Sequence, residues 1–349
     1  MTAIWRMGFL GCVLGLTGLL LAFGTTVATA NPAHPSCTGT SIVSQLEADY
    51  PEVYANLERE ARAIPNGEGL LWRITAPDGK TSYLFGTIHL SELSVPEISP
   101  TVLDLVLQSQ LVVTEIPDIA NETIVAEQSV LQMGNLFLGN GKTLKDFMSP
   151  QAYGNLERLM TEMGLPPFAL IGFRPFVVTA LISIPSCELP GMLESAGGMN
   201  NTVDVRIASA AEAAGIPTGG LESFAEQMEA ITSIPLAEGI SMLETLVLHE
   251  DQIEDFAATL VALYDAERMD QMLALERIEM PFAPLADIPA GFEKSMIVDR
   301  NRRMAERSLP HLSKGGAFIA VGALHLPGKE GLVALFREYG FEVERVLLQ

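Results

Sequence analysis

The chain has 349 residues, 48% of them hydrophobic, and 43 Asp+Glu against 21 Lys+Arg give a net charge of −22. No cluster of Lys and Arg stands out, which excludes nucleic-acid phosphates and anionic membrane surfaces as electrostatic partners. The apolar content supports a sizeable core, and so acidic a protein can hold divalent cations near its surface.

In chain order, Arg6 precedes an apolar stretch over 7–23, and Ala28-Thr29-Ala30 supplies a small-residue cleavage pattern. This layout predicts a secretory signal peptide over 1–30 and a periplasmic or secreted protein. A retained N-terminal anchor is the alternative, because the stretch is long enough to span a bilayer with tilt. Only in that case would the protein sit on a membrane. Cys37 and Cys187 survive processing, and an oxidising compartment favours one disulfide between them over two free thiols. No low-complexity linker divides 31–349, which predicts a single domain.

Residues 41–63 have a helical pattern. Runs at 70–75 and 81–86 flank Pro77-Asp78-Gly79-Lys80, a hairpin signal. A helix is expected around 99–109, then a continuous apolar strand at 111–116, closed by Pro117. The middle, about 119–307, is mostly helical in pattern. Within it, 201–215 is capped by Asn201 or Thr202 and ended by Gly215. The apolar stretch 170–184, interrupted at Arg174 and Pro175, reads as a buried helix. Residues 215–222 pass from helix to short strand to loop. The strand at 317–321, a helix near 329–339 and a strand at 341–348 finish the chain. Strands cluster at the two ends and helices fill the middle. That predicts α/β (or α+β), with one central sheet built from N- and C-terminal strands.

Two of the five histidines sit in one frame: Gly86-Thr87-Ile88-His89-Leu90 and Gly322-Ala323-Leu324-His325-Leu326. Each follows an apolar run. A glycine at a strand end lets the backbone turn or a ligand approach, and open α/β sheets bind ligands beyond their carboxyl strand ends. Glu115 ends the 111–116 strand, where a buried carboxylate needs a partner or a metal. Glu222 follows Thr218-Gly219-Gly220-Leu221 and could end another strand. Asp204 lies in a first helical turn, where favouring the helix dipole explains it. Arg300-Asn301-Arg302-Arg303 reads first as a solvated face with i,i+4 pairing, the sharper alternative being to orient a carboxylate or bind an anion. The sequence has no H-E-x-x-H, no G-x-S-x-G and no C-x-x-C. A P-loop fails at Leu136, where glycine is required. Two imidazoles with one or two glutamates suit Zn or another divalent transition metal with positions open to water.

Taken together, the two histidine motifs, Gly69-Leu70-Leu71-Trp72-Arg73-Ile74, Glu115 after its strand, Val203-Asp204, Leu221-Glu222 and Arg300-Asn301-Arg302-Arg303-Met304 resemble the TraB/GumN family, which includes the TIKI proteins. The resemblance runs from about Cys37 to the C-terminus. It implies a fold akin to the erythromycin esterase and ChaN-like proteins. It also implies a metal-dependent hydrolase of the metalloprotease kind, using Mn²⁺ or Co²⁺. His89, Glu115 and His325 would then form the core of the site and its metal ligands, with Glu222 and Arg300 assisting. The expected partner is a peptide or small-molecule substrate. Two competing readings are a non-catalytic periplasmic protein that binds haem, a metal or a peptide, and a structural envelope protein whose two histidines are merely buried.

Overall fold

The computed structural model describes residues 38–90, 97–188, 201–281 and 289–348. The predicted signal peptide and Cys37 lie outside them. Cys187 is buried, and its pairing with Cys37 remains an expectation.

Six strands form one mixed sheet: β1 (Leu71–Thr75), β2 (Thr81–Thr87), β3 (Leu111–Thr114), β4 (Thr218–Gly220), β5 (Ala317–Gly322) and β6 (Glu342–Val346), in the order β4-β3-β5-β2-β1-β6. The predicted hairpin pairs β1 antiparallel with β2, and its turn uses Gly79 at φ +85, a conformation glycine adopts without steric cost. β6 pairs antiparallel with β1 on the other side. β2, β5, β3 and β4 are mutually parallel, so their carboxyl ends open onto one edge. The fold is mixed α/β, with strands from both termini in one sheet, as the sequence predicts.

β5 is central, and its apolar run follows from that position. Phe318 and Ala320 face one hydrophobic cluster, while Ala317, Ile319 and Val321 face the other. A strand covered on both faces has no polar side to alternate with.

The helices are α1 (Ile42–Asp49), α2 (Pro51–Arg62), α3 (Pro100–Gln108), α4 (Glu122–Gln132), α5 (Pro150–Glu162), α6 (Pro175–Ile182), α7 (Val203–Ala213), α8 (Phe224–Thr232), α9 (Leu236–Leu248), α10 (Ile253–Asp265), α11 (Met269–Leu275), α12 (Ala290–Glu293), α13 (Asp299–Lys314) and α14 (Leu332–Glu338). One sheet face is covered by α13 and α14 through Met304, Ala305, Leu312, Val333 and Phe336. The other carries α3, α7 and the helical middle. Two predicted elements are corrected. The single helix expected over 41–63 breaks between Tyr50 and Pro51, because proline has no N–H for the helical ladder and fits best in a first turn. The stretch 170–184 becomes helical only from Pro175, after which every residue of α6 is buried. Among the described residues no single helix is long and apolar enough to cross a membrane.

Phe318, fully buried and 6.2 Å from the Phe85 ring centre, ties β5 to β2. Phe318→Ala is expected to cost about 3–5 kcal/mol, read as a lower urea midpoint without a change in slope.

Candidate active site

Four parallel strands deliver side chains to the same edge of the sheet. His89 follows the end of β2 by two residues. Glu115 follows β3 directly, Glu222 lies two residues past β4, and His325 ends the short turn Ala323–His325 after β5. The edge is tied by backbone, because the Glu222 N–H donates to the Glu115 carbonyl at 2.7 Å. The five residues expected from the sequence are therefore brought into one neighbourhood, with His89, Glu115 and His325 around Gly322 and with Glu222 joined to Glu115 through Arg300.

Each imidazole is oriented by a partner on Nδ1. His89 Nδ1 lies 2.8 Å from Asp204 Oδ2, and the other Asp204 oxygen accepts from the Thr87 hydroxyl at 2.6 Å. A carboxylate so close favours a proton on Nδ1, so Nε2 is the nitrogen left to bind once the ring is neutral. His325 Nδ1 lies 2.6 Å from Asn301 Oδ1. The Asn301 amide nitrogen donates to the Glu330 carbonyl at 2.8 Å, so its oxygen faces the ring and His325 Nδ1 is the donor. His325 Nε2 is thus bare. It is buried, has no hydrogen-bond partner among the described residues, and lies 3.7 Å from Glu115 Oε1.

Gly322 makes room for this convergence. A Cβ at that position would lie 3.2 Å from Glu115 Oε1, 3.5 Å from His89 Nε2 and 3.5 Å from His325 Cδ2. The space beyond is a cavity of about 20 Å³ between the histidines, walled by Thr87, Tyr264 and Leu324 among others. That is room for a water or a single ion. The Tyr264 hydroxyl donates to the Gly86 carbonyl at 2.9 Å, and burial pushes its pKa up, so it stays a neutral donor.

Arg300 and Asn301 are both fully buried, so the solvated-face reading fails at these two positions and holds at Arg302. Arg300 instead meets carboxylates, the alternative the sequence offered. Arg300 donates from Nη2 to Glu115 Oε2 and from Nε to Glu222 Oε2 at 2.8 Å. Glu115 also accepts from the Gly322 N–H at 2.7 Å and from Gln227 Nε2 at 3.1 Å. Burial works to raise the Glu115 pKa, but Arg300, the two histidines and the Gly322 N–H outweigh it and bring it to about 2. Burial and the charge of Glu115 instead raise Glu222, against the pull of Arg300. Its second oxygen lies 3.4 Å from Arg303 Nε. The histidines also part. Burial lowers His89, but Asp204 and Glu115 prevail and its pKa is raised. Burial and Arg300 lower His325 to about 3.

The donor chemistry fits a divalent cation. His325 is neutral, with its unpartnered Nε2 3.7 Å from Glu115 Oε1 among the described residues, whereas His89, whose pKa is raised, would have to release a proton to bind a metal. Each ring faces an oxygen at Nδ1, as metal-bound histidines commonly do. The ligand set is not closed: among the described residues no three His, Cys, Asp or Glu side chains are grouped at metal-holding geometry. Glu115, the expected third ligand, has its oxygens engaged by Arg300, Gln227 and Gly322.

Sequence reasoning missed Asn301 and Gln227 and gave Asp204 only a helix-dipole role. The sole signal for Asp204 was an acid in a first turn, which suits the dipole equally well.

A family model described as the TraB/PrgY/gumN family matches residues 70–345, well over half of the chain and every residue of this site. The chain belongs to the TraB/PrgY/gumN family. Similar proteins include Metalloprotease TIKI2 of Danio rerio, 22% identical over 315 residues, covering 78% of this chain and 60% of the relative. Metalloprotease TIKI1 of Danio rerio is 22% identical over 311 residues, covering 75% and 60%. Uncharacterized protein YbaP of Shigella flexneri is 21% identical over 268 residues, covering 76% and 90%. The chain thus spans about 60% of the length of the two metalloproteases. No solved structure matches the chain, so the likeness to erythromycin esterase and ChaN-like folds rests on sequence resemblance alone.

Two predictions follow from the electrostatics of this TraB/PrgY/gumN site. Arg300→Met leaves two buried carboxylates without their cation and is expected to destabilise by about 3–5 kcal/mol. Adding Glu115→Gln should recover part of that loss in denaturant titrations. The second concerns pH. A histidine whose folded pKa is lowered to about 3 must take up a proton on unfolding, so its contribution is full above about pH 6.5 and is lost as pH falls toward 3. Glu115 adds a loss of the same sign from about 4.5 down toward 2. His89 has the opposite sign: its raised pKa stabilises below about 6.5 and that gain fades only as pH rises through the folded value. Metal-free protein should therefore lose stability on acidification with a slope approaching about 1.4 kcal/mol per pH unit for the His325 proton. His325→Asn should flatten the profile between pH 3 and 6.5, and an unchanged slope would refute this assignment.

Proposed function

We propose that this chain is an exported hydrolase that uses a divalent metal to cleave an amide bond of a peptide. The observation that carries this reading is the convergence of His89 Nε2, the His325 ring and a Glu115 carboxylate oxygen on the position a Cβ would take at Gly322, with His325 Nε2 buried and without a partner among the described residues. The metalloprotease names of two relatives support it, as does the fit of the small cavity to an ion or a water rather than to a haem. His89 and His325 would hold the metal through Nε2, with Glu115 as the carboxylate ligand. The resemblance to the TIKI proteins favours Mn²⁺ or Co²⁺, and Zn²⁺ suits the same donors. When bound, the metal supplies a Lewis acid that activates water and polarises a carbonyl.

The remaining steps belong to the protein's own residues. Asp204 and Asn301 orient the two rings through Nδ1 and so keep both Nε2 atoms turned inward. His325, with its pKa lowered to about 3, stays neutral at pH 7. Glu115 stays ionised and is fixed by Gly322, Gln227 and Arg300. Glu222 meets the site through Arg300, so it is a positioning residue rather than a group that touches substrate. The signal-peptide pattern supports export, and with it a substrate in the periplasm or outside the cell.

The test is metal content together with cleavage of a mixed peptide library in the presence of Mn²⁺, Co²⁺ or Zn²⁺. His89→Ala and His325→Ala should each lower both bound metal and cleavage by at least about 100-fold. Gly322→Ala, which fills the meeting point with a methyl group, should lose cleavage while remaining folded. Peptide cleavage that persists in both histidine variants would reject the site.

A further inference from the structure

A second cavity, of about 390 Å³, adjoins the site, within the range that holds a small ligand. Its walls are apolar: Leu70, Phe85, Ile98, Val203 and the ring of Tyr264. Tyr264 also lines the small cavity between His89 and His325, so the two spaces share one wall. The hydrogen bond from its hydroxyl to the Gly86 carbonyl fixes that ring as a partition. The lining also includes three acids, Glu97, Asp265 and Glu267. Glu267 is paired with Arg345 at 3.1 Å and accepts from the Leu70 N–H at 3.3 Å. Glu97 and Asp265 are exposed and enter no ion pair among the described residues.

An apolar shaft with unpaired carboxylates matches one side-chain chemistry, an aliphatic stem ending in a cation. We propose that this cavity receives a lysine or arginine side chain of a peptide substrate, with its stem against Leu70, Phe85 and Val203 and its cation at Glu97 and Asp265. The inference rests on the hydrolase reading, since the shared Tyr264 wall sets that side chain beside the bond presented to the two imidazoles.

The experiment compares peptides identical but for one residue, Lys, Leu or Glu, with the metal-loaded protein. Cleavage should rank Lys above Leu above Glu, with Lys favoured over Leu by about 5- to 20-fold in kcat/KM, the scale of two exposed ion pairs. The preference should act mostly through KM and fade at high salt. A Glu97→Gln, Asp265→Asn double variant should bring Lys to within about twofold of Leu, by lowering cleavage of the Lys peptide. Equal cleavage of all three, or a Lys preference that survives in the double variant, would overturn the proposal. So would a preference for Glu that vanishes in Arg206→Gln. That result would move recognition to the Arg206 guanidinium, whose buried Nε and Nη2 have no hydrogen-bond partner among the described residues. If no peptide is cleaved, the hydrolase reading fails, and fluorescence polarisation of the same labelled peptides decides the cavity separately. Binding in the order Lys, Leu, Glu upholds it, and any other order overturns it.

Discussion

An arginine buried between two glutamates is the interaction on which the site depends. Arg300, Glu115 and Glu222 are all at most 2% exposed, and charges removed from water survive only where they are paired and hydrogen-bonded. The guanidinium meets both carboxylates with separate N–H groups, a fork that lysine lacks. The same helical turn supplies Asn301, so α13 contributes the charge compensator and the orienter of His325 at consecutive positions. That helix is anchored on the sheet by Met304, Ala305 and Leu312. It is preceded by a π-helical turn, Lys294–Val298. Such turns insert an extra residue per turn and shift the helix phase, and Arg300 and Asn301 lie on the inward side just after it.

The two histidines share a sequence frame but not an electrostatic environment. His89 faces a carboxylate and is drawn toward protonation, whereas His325 faces an amide and the charge of Arg300 and is pushed away from it. One anion, Glu115, serves both. It stabilises charge on either ring but is itself held low by Arg300, so it answers first to the arginine. Any cation entering between the rings meets one imidazole that holds its proton beyond the ordinary range and one that carries none at pH 7.

The sheet was largely legible in the sequence because its strands have simple patterns. β5 is apolar on both faces, the hairpin has a glycine turn, and Glu115 and the histidines follow apolar runs. The partners of those residues were not legible, because tertiary apposition creates them. Asp204 lies 117 residues from Thr87, and nothing in its own surroundings separates a histidine partner from a helix-dipole acid. The burial of Arg300 was hard to read for a related reason. The outer face of α13 is strongly polar, carrying Arg302, Arg303, Glu306 and Arg307, so a buried arginine in its first turn looks like one more member of a solvated row. The break at Pro51 was visible as a residue but not as a boundary, since proline is tolerated in a first turn and disruptive only further in.

The repeated glycine shows how similar motifs can answer different constraints. Gly86 and Gly322 lie in adjacent parallel strands, but the register is offset by one, pairing Gly86 with Val321 and Thr87 with Gly322. A Cβ on Gly86 would meet the Ala323 Cα at 3.0 Å, so that glycine lets the turn after β5 pack against β2. Gly322 has φ −52, which any residue can adopt, so its backbone does not require glycine. What requires it is the group of Glu115, His89 and His325 atoms standing where its side chain would be. His89 is then reached through two residues beyond β2 and His325 through a tight turn beyond β5. Equal spacing in sequence thus arises from unequal backbone paths, which argues against an internal repeat and for two strand ends shaped separately to leave one small space open.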